Sequence, residues 1–211
     1  RVEMRRMGGG FGGKESQGNA LAVACAVAAR TTGQACKMRY DRDDDMVITG
    51  KRHDFRIDYR AGVTDKGRIL GIEFRHLARC GWSQDLSLPV ADRAMLHADN
   101  AYALDHIRIE SHRLRTNTQS ATAFRGFGGP QGMIGIERVM DHVAHALKLD
   151  PTEVRKTNFY KELGGGVETT PYHMPVEDFI LNDLVKALEK SSDFRKRQMA
   201  VADWNRASPI L

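Results

Sequence analysis

Gly126-Phe127-Gly128-Gly129-Pro130-Gln131 decides how this chain is read, because its core tetrapeptide occurs a second time as Gly10-Phe11-Gly12-Gly13, followed by Lys14-Glu15. Consecutive glycines permit positive φ and close approach, so their amides can point into one concavity. A helix start behind such a loop adds unpaired N–H groups and positive potential. Pro130 suits a first helical turn, and Ile134, Val139, Val143 and Leu147 follow at near-helical spacing, which predicts a helix over 130–147. The first copy is followed by an alanine-rich stretch ending at Gly33, which predicts a helix over 15–30. Each copy therefore reads as a loop-to-helix corner able to hold a phosphate or another oxyanion, with a phenylalanine beside it. A pair of tight structural turns is the plainer alternative.

Working outward, residues 55–60 and 107–114 alternate apolar and polar as half-buried strands do. Residues 63–68 supply a hairpin turn into a further strand over 69–77, and short strands are expected at 2–7 and 37–40. Short helices are expected over 90–99 and after Asp150-Pro151-Thr152-Glu153, where Asp150 is an N-cap and proline takes the first turn. Gly164-Gly165-Gly166 is expected to be a flexible break, with helices over 179–190 and 193–205. The fold class is α+β: an antiparallel or mixed sheet with helices packed on it. The expected organisation is one domain over 1–163 and a mostly helical segment over 164–211.

Bulk properties narrow the classes. The 211 residues are 41% hydrophobic and 28% charged, the composition of a globular chain rather than a disordered one. No apolar run approaches the ~20 residues needed to span a bilayer. No signal peptide is seen, and residues 1–7 read as a strand cut from a longer chain. The net charge of +5 suits an anionic small molecule or an acidic partner, but Lys and Arg alternate with acids and form no nucleic-acid stripe. Cys25, Cys36 and Cys80 are too dispersed for an iron–sulfur or zinc site and fit reduced thiols in the cytoplasm.

Three weaker patterns read as structural. Gly8, Gly10 and Gly13 satisfy the dinucleotide fingerprint, but its acidic partner is due about 20 residues on and Asp41 arrives late. Asp41-Arg42-Asp43-Asp44-Asp45 begins like a calcium loop but continues with Met46 and lacks the closing glutamate at Arg52. His142 and His145 share a helix face without a third ligand.

Residues 7–15 and 122–131 are similar to two signatures of the molybdenum hydroxylases, and within that family they most resemble the xanthine dehydrogenases. Arg93-Ala94-Met95-Leu96-His97-Ala98-Asp99-Asn100 resembles a third segment, and Gln84-Asp85-Leu86-Ser87 and Glu153-Val154-Arg155-Lys156 also fit. The register holds to the neighbourhood of Tyr160 and then weakens. The resemblance implies an internal fragment of a molybdenum-binding subunit. It implies molybdopterin as cofactor, contacted by Phe11, Gly12 and Arg125, with the metal held by the pterin dithiolene and not by side chains. It further implies that Glu15 hydrogen-bonds a purine, that Phe127 packs on its ring, and that Arg93 is a catalytic residue stabilising charge on the heterocycle. Aldehyde oxidases resemble this framework but usually lack the Glu15 and Arg93 pair. The implied reaction is therefore hydroxylation of hypoxanthine or xanthine at a ring carbon, with oxygen from water, in purine catabolism. The intact complex is implied to be a cytoplasmic homodimer carrying 2Fe-2S clusters and FAD on other domains or subunits, with NAD as acceptor and no nucleic-acid or membrane partner.

The chain departs from the family in what it lacks. The general-base glutamate of a distant C-terminal motif and an upstream glutamine near the metal have no counterpart here, so the chain alone is expected to be inactive. A non-catalytic α+β module that binds a phosphorylated ligand, a dinucleotide or a partner protein is the alternative from a different class.

Overall fold

The computed structural model describes residues 1–161, 168–177 and 179–210. Three strands, β1 (Phe55–Val63), β2 (Ile69–Gly81) and β3 (Ile107–Arg115), form one sheet in that order. β1 and β2 make the expected antiparallel hairpin, closed by a turn in which Gly67 N–H donates to Thr64 C=O (2.9 Å). β3 runs parallel to β2, so the sheet is mixed, one of the two forms expected. A parallel pair requires a long crossover, and residues 82–106 provide it, including helix α3 (Ser87–Met95). The topology has a direct consequence for the site. The register pairs Phe55 with Ala78 and Gly81 with Arg115, so the start of β1 and the ends of β2 and β3 share one end of the sheet. Segments 49–54, 82–86 and 116–128 gather there.

One face of the sheet makes the core. Along β2 the alternate residues Ile72, Phe74, His76, Ala78 and Cys80 are buried, as period-two geometry demands. Ile72 and Phe74 pack in one cluster with α4 (Gly129–Leu147), whose Ile136, Val139, Met140, Val143 and Ala144 recur every three or four residues and are buried in turn. Each fully buried Ile, Val, Met or Phe side chain among them stabilises the fold by ~1.5–3 kcal/mol. Tyr102 stacks on Phe159 at 5.8 Å and 11°. Asn158, fully buried at the end of α5 (Pro151–Asn158), fastens that helix to the hairpin. Its Oδ1 accepts from Ile69 N–H (2.8 Å), and its Nδ2 donates to Gly67 C=O (2.7 Å).

The remaining helices are peripheral: α1 (Asn19–Thr32), α2 (Arg42–Ile48), α6 (Leu181–Ser191) and α7 (Phe194–Ala207). Gly33 ends α1 in the left-handed region, as its position suggested. The acidic run is a capped helix, with Asp41 accepting from Asp44 N–H at 2.8 Å, and not a cation loop. Asp150 caps α5 as expected and also accepts from Gln198 (2.8 Å) and Arg195 (2.9 Å), which draws α7 onto α5. Burial would raise its carboxyl pKa, but the Gln198 bond, the capping amides and Arg195 outweigh that and hold it at about 2.

Two expected strands do not form. Residues 2–7 and 37–40 pair with no strand among the described residues, and Met4 and Met38 are exposed. A strand needs a neighbour for its amides, and none is present. This also removes the strand that a dinucleotide fingerprint at Gly8, Gly10 and Gly13 requires. The expected break at Gly164-Gly165-Gly166 and the boundary at 163/164 lie outside the described residues. No helix among the described residues is long and apolar enough to cross a membrane.

Candidate functional site

The two glycine corners repeat in conformation as well as in sequence. Phe11 and Phe127 both hold left-handed backbone, at φ 52° and 50°, and the glycines after them sit at 91° and 96°. For a phenylalanine this costs ~1–2 kcal/mol, so each corner must be held by its surroundings. Beyond that dipeptide they part. Gly13 stays at φ 82° and leads into a turn over 14–18 before α1, whereas Gly129 is already the first residue of α4.

The corners touch. A Cβ on Gly12 would lie 2.5 Å from Ala123 O and 2.8 Å from Phe124 Cα, so only glycine permits this approach. The Arg125 guanidinium lies 5.9 Å from the centre of the Phe11 ring, and Arg52 lies 4.5 Å from that of Phe124. Arg52 also donates to Arg125 C=O at 2.6 Å. Phe11, Gly12 and Arg125 are thereby brought together. The sheet end supports the contact: Ala121 N–H donates to Cys80 C=O (2.9 Å) and Thr122 N–H to Lys51 C=O (3.0 Å), which seats the approach to the second corner between β2 and segment 49–52.

The amides differ between corners. Phe127 N–H donates to Phe124 C=O (2.8 Å) and Gly129 N–H to Gly126 C=O (3.0 Å), so the second corner satisfies these groups internally. Among the described residues, the amides of Phe11, Gly12 and Gly13 donate to no protein acceptor. Gly12 and Gly13 line a 470 Å³ cavity shared with Ala123 and Phe124. Arg6, Lys14, Arg42 and Lys51 also line it, against a single acid, Asp45. Free amides with a basic surround form a nest suited to an anion. Glu15, Arg93 and Phe127 do not line this cavity.

Arg93 stands exposed on the last turn of α3. The partners that would make it a plain surface ion pair are occupied elsewhere: Asp92 pairs with Arg113, and Asp99 accepts from the Tyr160 hydroxyl at 2.6 Å. The α3 backbone is met by the second corner. A Cβ on Gly128 would overlap Val90 O and lie 3.1 Å from Ala94 N, and one on Gly132 would overlap Ala94 O. Phe127, half-buried, therefore adjoins the helix that presents Arg93. Glu15 is exposed in the turn after the first corner, ahead of α1, whose first turn has no acidic residue. It is thus no helix-dipole partner. Among the described residues Glu15 and Arg93 form no ion pair with each other.

Several residues that build the site gave no sequence signal. His53 is buried, with Nε2 2.8 Å from Ser87 Oγ at the start of α3, and its C=O accepts from Gln131 in the first turn of α4 (3.2 Å). Burial lowers its pKa against the opposing pull of Asp85. Gln17 bonds Asp85 and Gly50. Such partners lie 33 to 78 residues apart in sequence, so no local pattern could expose them.

Comparison with known proteins places this geometry. The model of the molybdopterin cofactor-binding domain matches residues 1–159. Over 205 residues the chain is 42% identical to the xanthine dehydrogenase/oxidase of Mus musculus, covering 97% of this chain and 15% of that protein. Over 201 residues it is 41% identical to the xanthine dehydrogenase of Oryza sativa subsp. japonica, covering 95% and 14%. Among solved structures, the aldehyde oxidoreductase from Desulfovibrio gigas superposes with a TM-score of 0.80 at 31% identity, over 97% of this chain and 21% of that one. The chain thus spans about 15% of the length of these curated relatives.

Proposed function

Because the chain belongs to the molybdopterin cofactor-binding domain family, we propose that it is the part of a xanthine dehydrogenase-type molybdenum hydroxylase where cofactor and purine meet. The observation that supports this most is the contact of the two corners. Gly12 lies against Ala123 and Phe124, and three free amides stand beside a basic cavity. The residues present fit an anionic, flat cofactor: Phe11, Gly12 and Arg125 would hold it by amide donation, close backbone approach and guanidinium charge. Among the described residues no three His, Cys, Asp or Glu side chains gather as a ligand set, and the pterin dithiolene would carry the metal. When bound, the cofactor supplies a centre that accepts two electrons from a ring carbon while water provides the oxygen.

The chain's own side chains act on the substrate. Glu15 accepts a hydrogen bond from the purine and sets its orientation. Phe127 lies along the ring face and excludes water. Arg93, free of any ion pair among the described residues, holds the negative charge that builds on the heterocycle during reaction. A preorganised charge of this kind contributes ~3 kcal/mol in a dry site. The general base, the 2Fe-2S clusters, the FAD and the NAD site belong to other parts of a homodimeric, cytoplasmic parent enzyme.

The test is made on the parent-length protein. Molybdenum is measured by mass spectrometry, and reduction of an acceptor is followed with xanthine or hypoxanthine. Stoichiometric metal with purine turnover is expected; a metal-free protein that binds only phosphate would refute the proposal. Mixed with xanthine and an acceptor, the 211-residue chain alone should show no enzyme-like turnover.

A further inference from the structure

Gln17 follows Glu15 by two residues, in the turn between the first corner and α1. Its half-buried side chain makes two long-range hydrogen bonds of opposite sense. The carboxamide N–H donates to Asp85 Oδ2 at 2.9 Å, and the carboxamide oxygen accepts from Gly50 N–H at 2.8 Å. Both partners are tightly constrained. Asp85 holds φ at 38°, left-handed for a non-glycine residue, and stands two residues before the start of α3. Gly50 is pressed against the approach to the second corner: a Cβ there would overlap Ser120 O and lie 3.0 Å from Thr122 Cγ2.

We propose that Gln17 is a positioning residue for substrate binding, a cross-brace that fixes the Glu15 turn against the root of α3 and so sets the spacing between Glu15 and Arg93. The inference rests on the substrate roles proposed above. A carboxamide suits the task because it alone offers both a donor and an acceptor at that length without charge. A carboxylate at position 17 has no N–H to give and meets Asp85 as a like charge.

The experiment uses the parent-length holoenzyme. Gln17→Glu should raise KM for xanthine about tenfold while kcat moves less than about threefold, the signature of lost binding geometry. Gln17 also lines the basic cavity, so KM is measured on metal-loaded enzyme, and molybdenum content should change less than KM does. Asp85→Asn alone keeps an acceptor for Gln17 and should behave as the unsubstituted enzyme. The combination Gln17→Glu with Asp85→Asn reverses the direction of the hydrogen bond and should restore KM. In a Glu15→Val background Gln17→Leu should add almost nothing, since the group it positions is gone. Failure of the paired exchange to restore KM, full additivity with Glu15→Val, or loss of molybdenum in both Gln17→Glu and the paired variant would overturn the proposal. If the unsubstituted enzyme does not act on xanthine, the proposed function fails on its own account. Hydrogen exchange of the peptide containing Gly50 then decides the brace: Gln17→Leu should speed it about tenfold, as loss of one hydrogen bond does, and unchanged exchange would reject it.

Discussion

At the second corner Gly128 lies against the α3 backbone and α4 begins at the next residue, with Ile136, Val139 and Met140 driven into the core. At the first corner residues 14–18 form a turn, and α1 behind it buries no residue. The Phe-Gly backbone is nearly the same in both, whereas the flanking glycines differ: Gly126 holds positive φ and Gly10 does not, and Gly13 holds it where Gly129 does not. What the bend does depends on its backing. The corner set in the core turns the amides of Phe127 and Gly129 onto its own carbonyls and is held as a fixed wall by the α3 backbone. The corner set on the periphery keeps the amides of Phe11, Gly12 and Gly13 free among the described residues, which suits it to the proposed role of cradle, and it is tied to that wall by the close approach of Gly12 and by the bonds of Gln17.

The largest effects should come from side chains forced into the wall. Gly128→Ala adds a Cβ overlapping Val90 O at a φ of 96°. It should displace α3 from α4, seen as loss of hydrogen-exchange protection in both helices and of bound molybdenum. Gly12→Ala meets Ala123 O and a φ of 91°, so it should cut molybdenum content by more than about tenfold, the conformational cost of ~1–2 kcal/mol adding to the overlap, while α4 stays protected. Gly10→Ala has nothing within 4 Å and should leave the metal in place. Equal losses at Gly10 and Gly12 would break the distinction between a cradle residue and a spacer.

The next effect is chemical. Arg93→Met should leave the metal bound but lower kcat/KM for xanthine by about 100-fold, the equivalent of ~3 kcal/mol, with aldehyde oxidation much less affected. Equal losses on both substrates would remove Arg93 from its assigned role. Smaller again is the exchange of the two phenylalanines. Phe11→Gly and Phe127→Gly relieve the same backbone strain of ~1–2 kcal/mol, yet only the second should raise KM for the purine, by about tenfold. A similar KM increase from Phe11→Gly would erase the division of labour between the corners.

The sequence made the corners legible because glycine spacing and helix starts are local. The helices over 129–147 and 151–158 and the 55–81 hairpin were equally readable from period and capping. The direction of β3 was not, since alternation in Ile107–Arg115 is the same whether its neighbour is parallel or antiparallel. Residues 2–7 have strand composition and no partner, which composition alone does not reveal. Gln17, Gly50 and His53 escaped for the opposite reason: each is ordinary in its own segment and acquires its task only when the sheet end assembles.

The smallest expected effect separates the corners by acid. His76 is fully buried on the sheet face that meets α4, beside the Phe55 and Phe74 rings, and among the described residues neither ring nitrogen has a partner. Burial lowers its pKa from 6.5 to about 4. The unfolded chain takes up a proton near pH 6.5 that the folded chain refuses, so stability is complete above that pH and falls as pH drops from 6.5 toward 4. Between pH 6.5 and 5.5 the loss should be about 1 kcal/mol, a roughly fivefold fall in exchange protection. It should appear in β2 and α4, which carry the second corner, and not in α1, which buries nothing. His76→Leu should reduce the pH dependence in α4, leaving the part that the buried His53 contributes. Loss of protection in α1 over the same range would mean that the first corner leans on the core after all, and the division between wall and cradle would have to be abandoned.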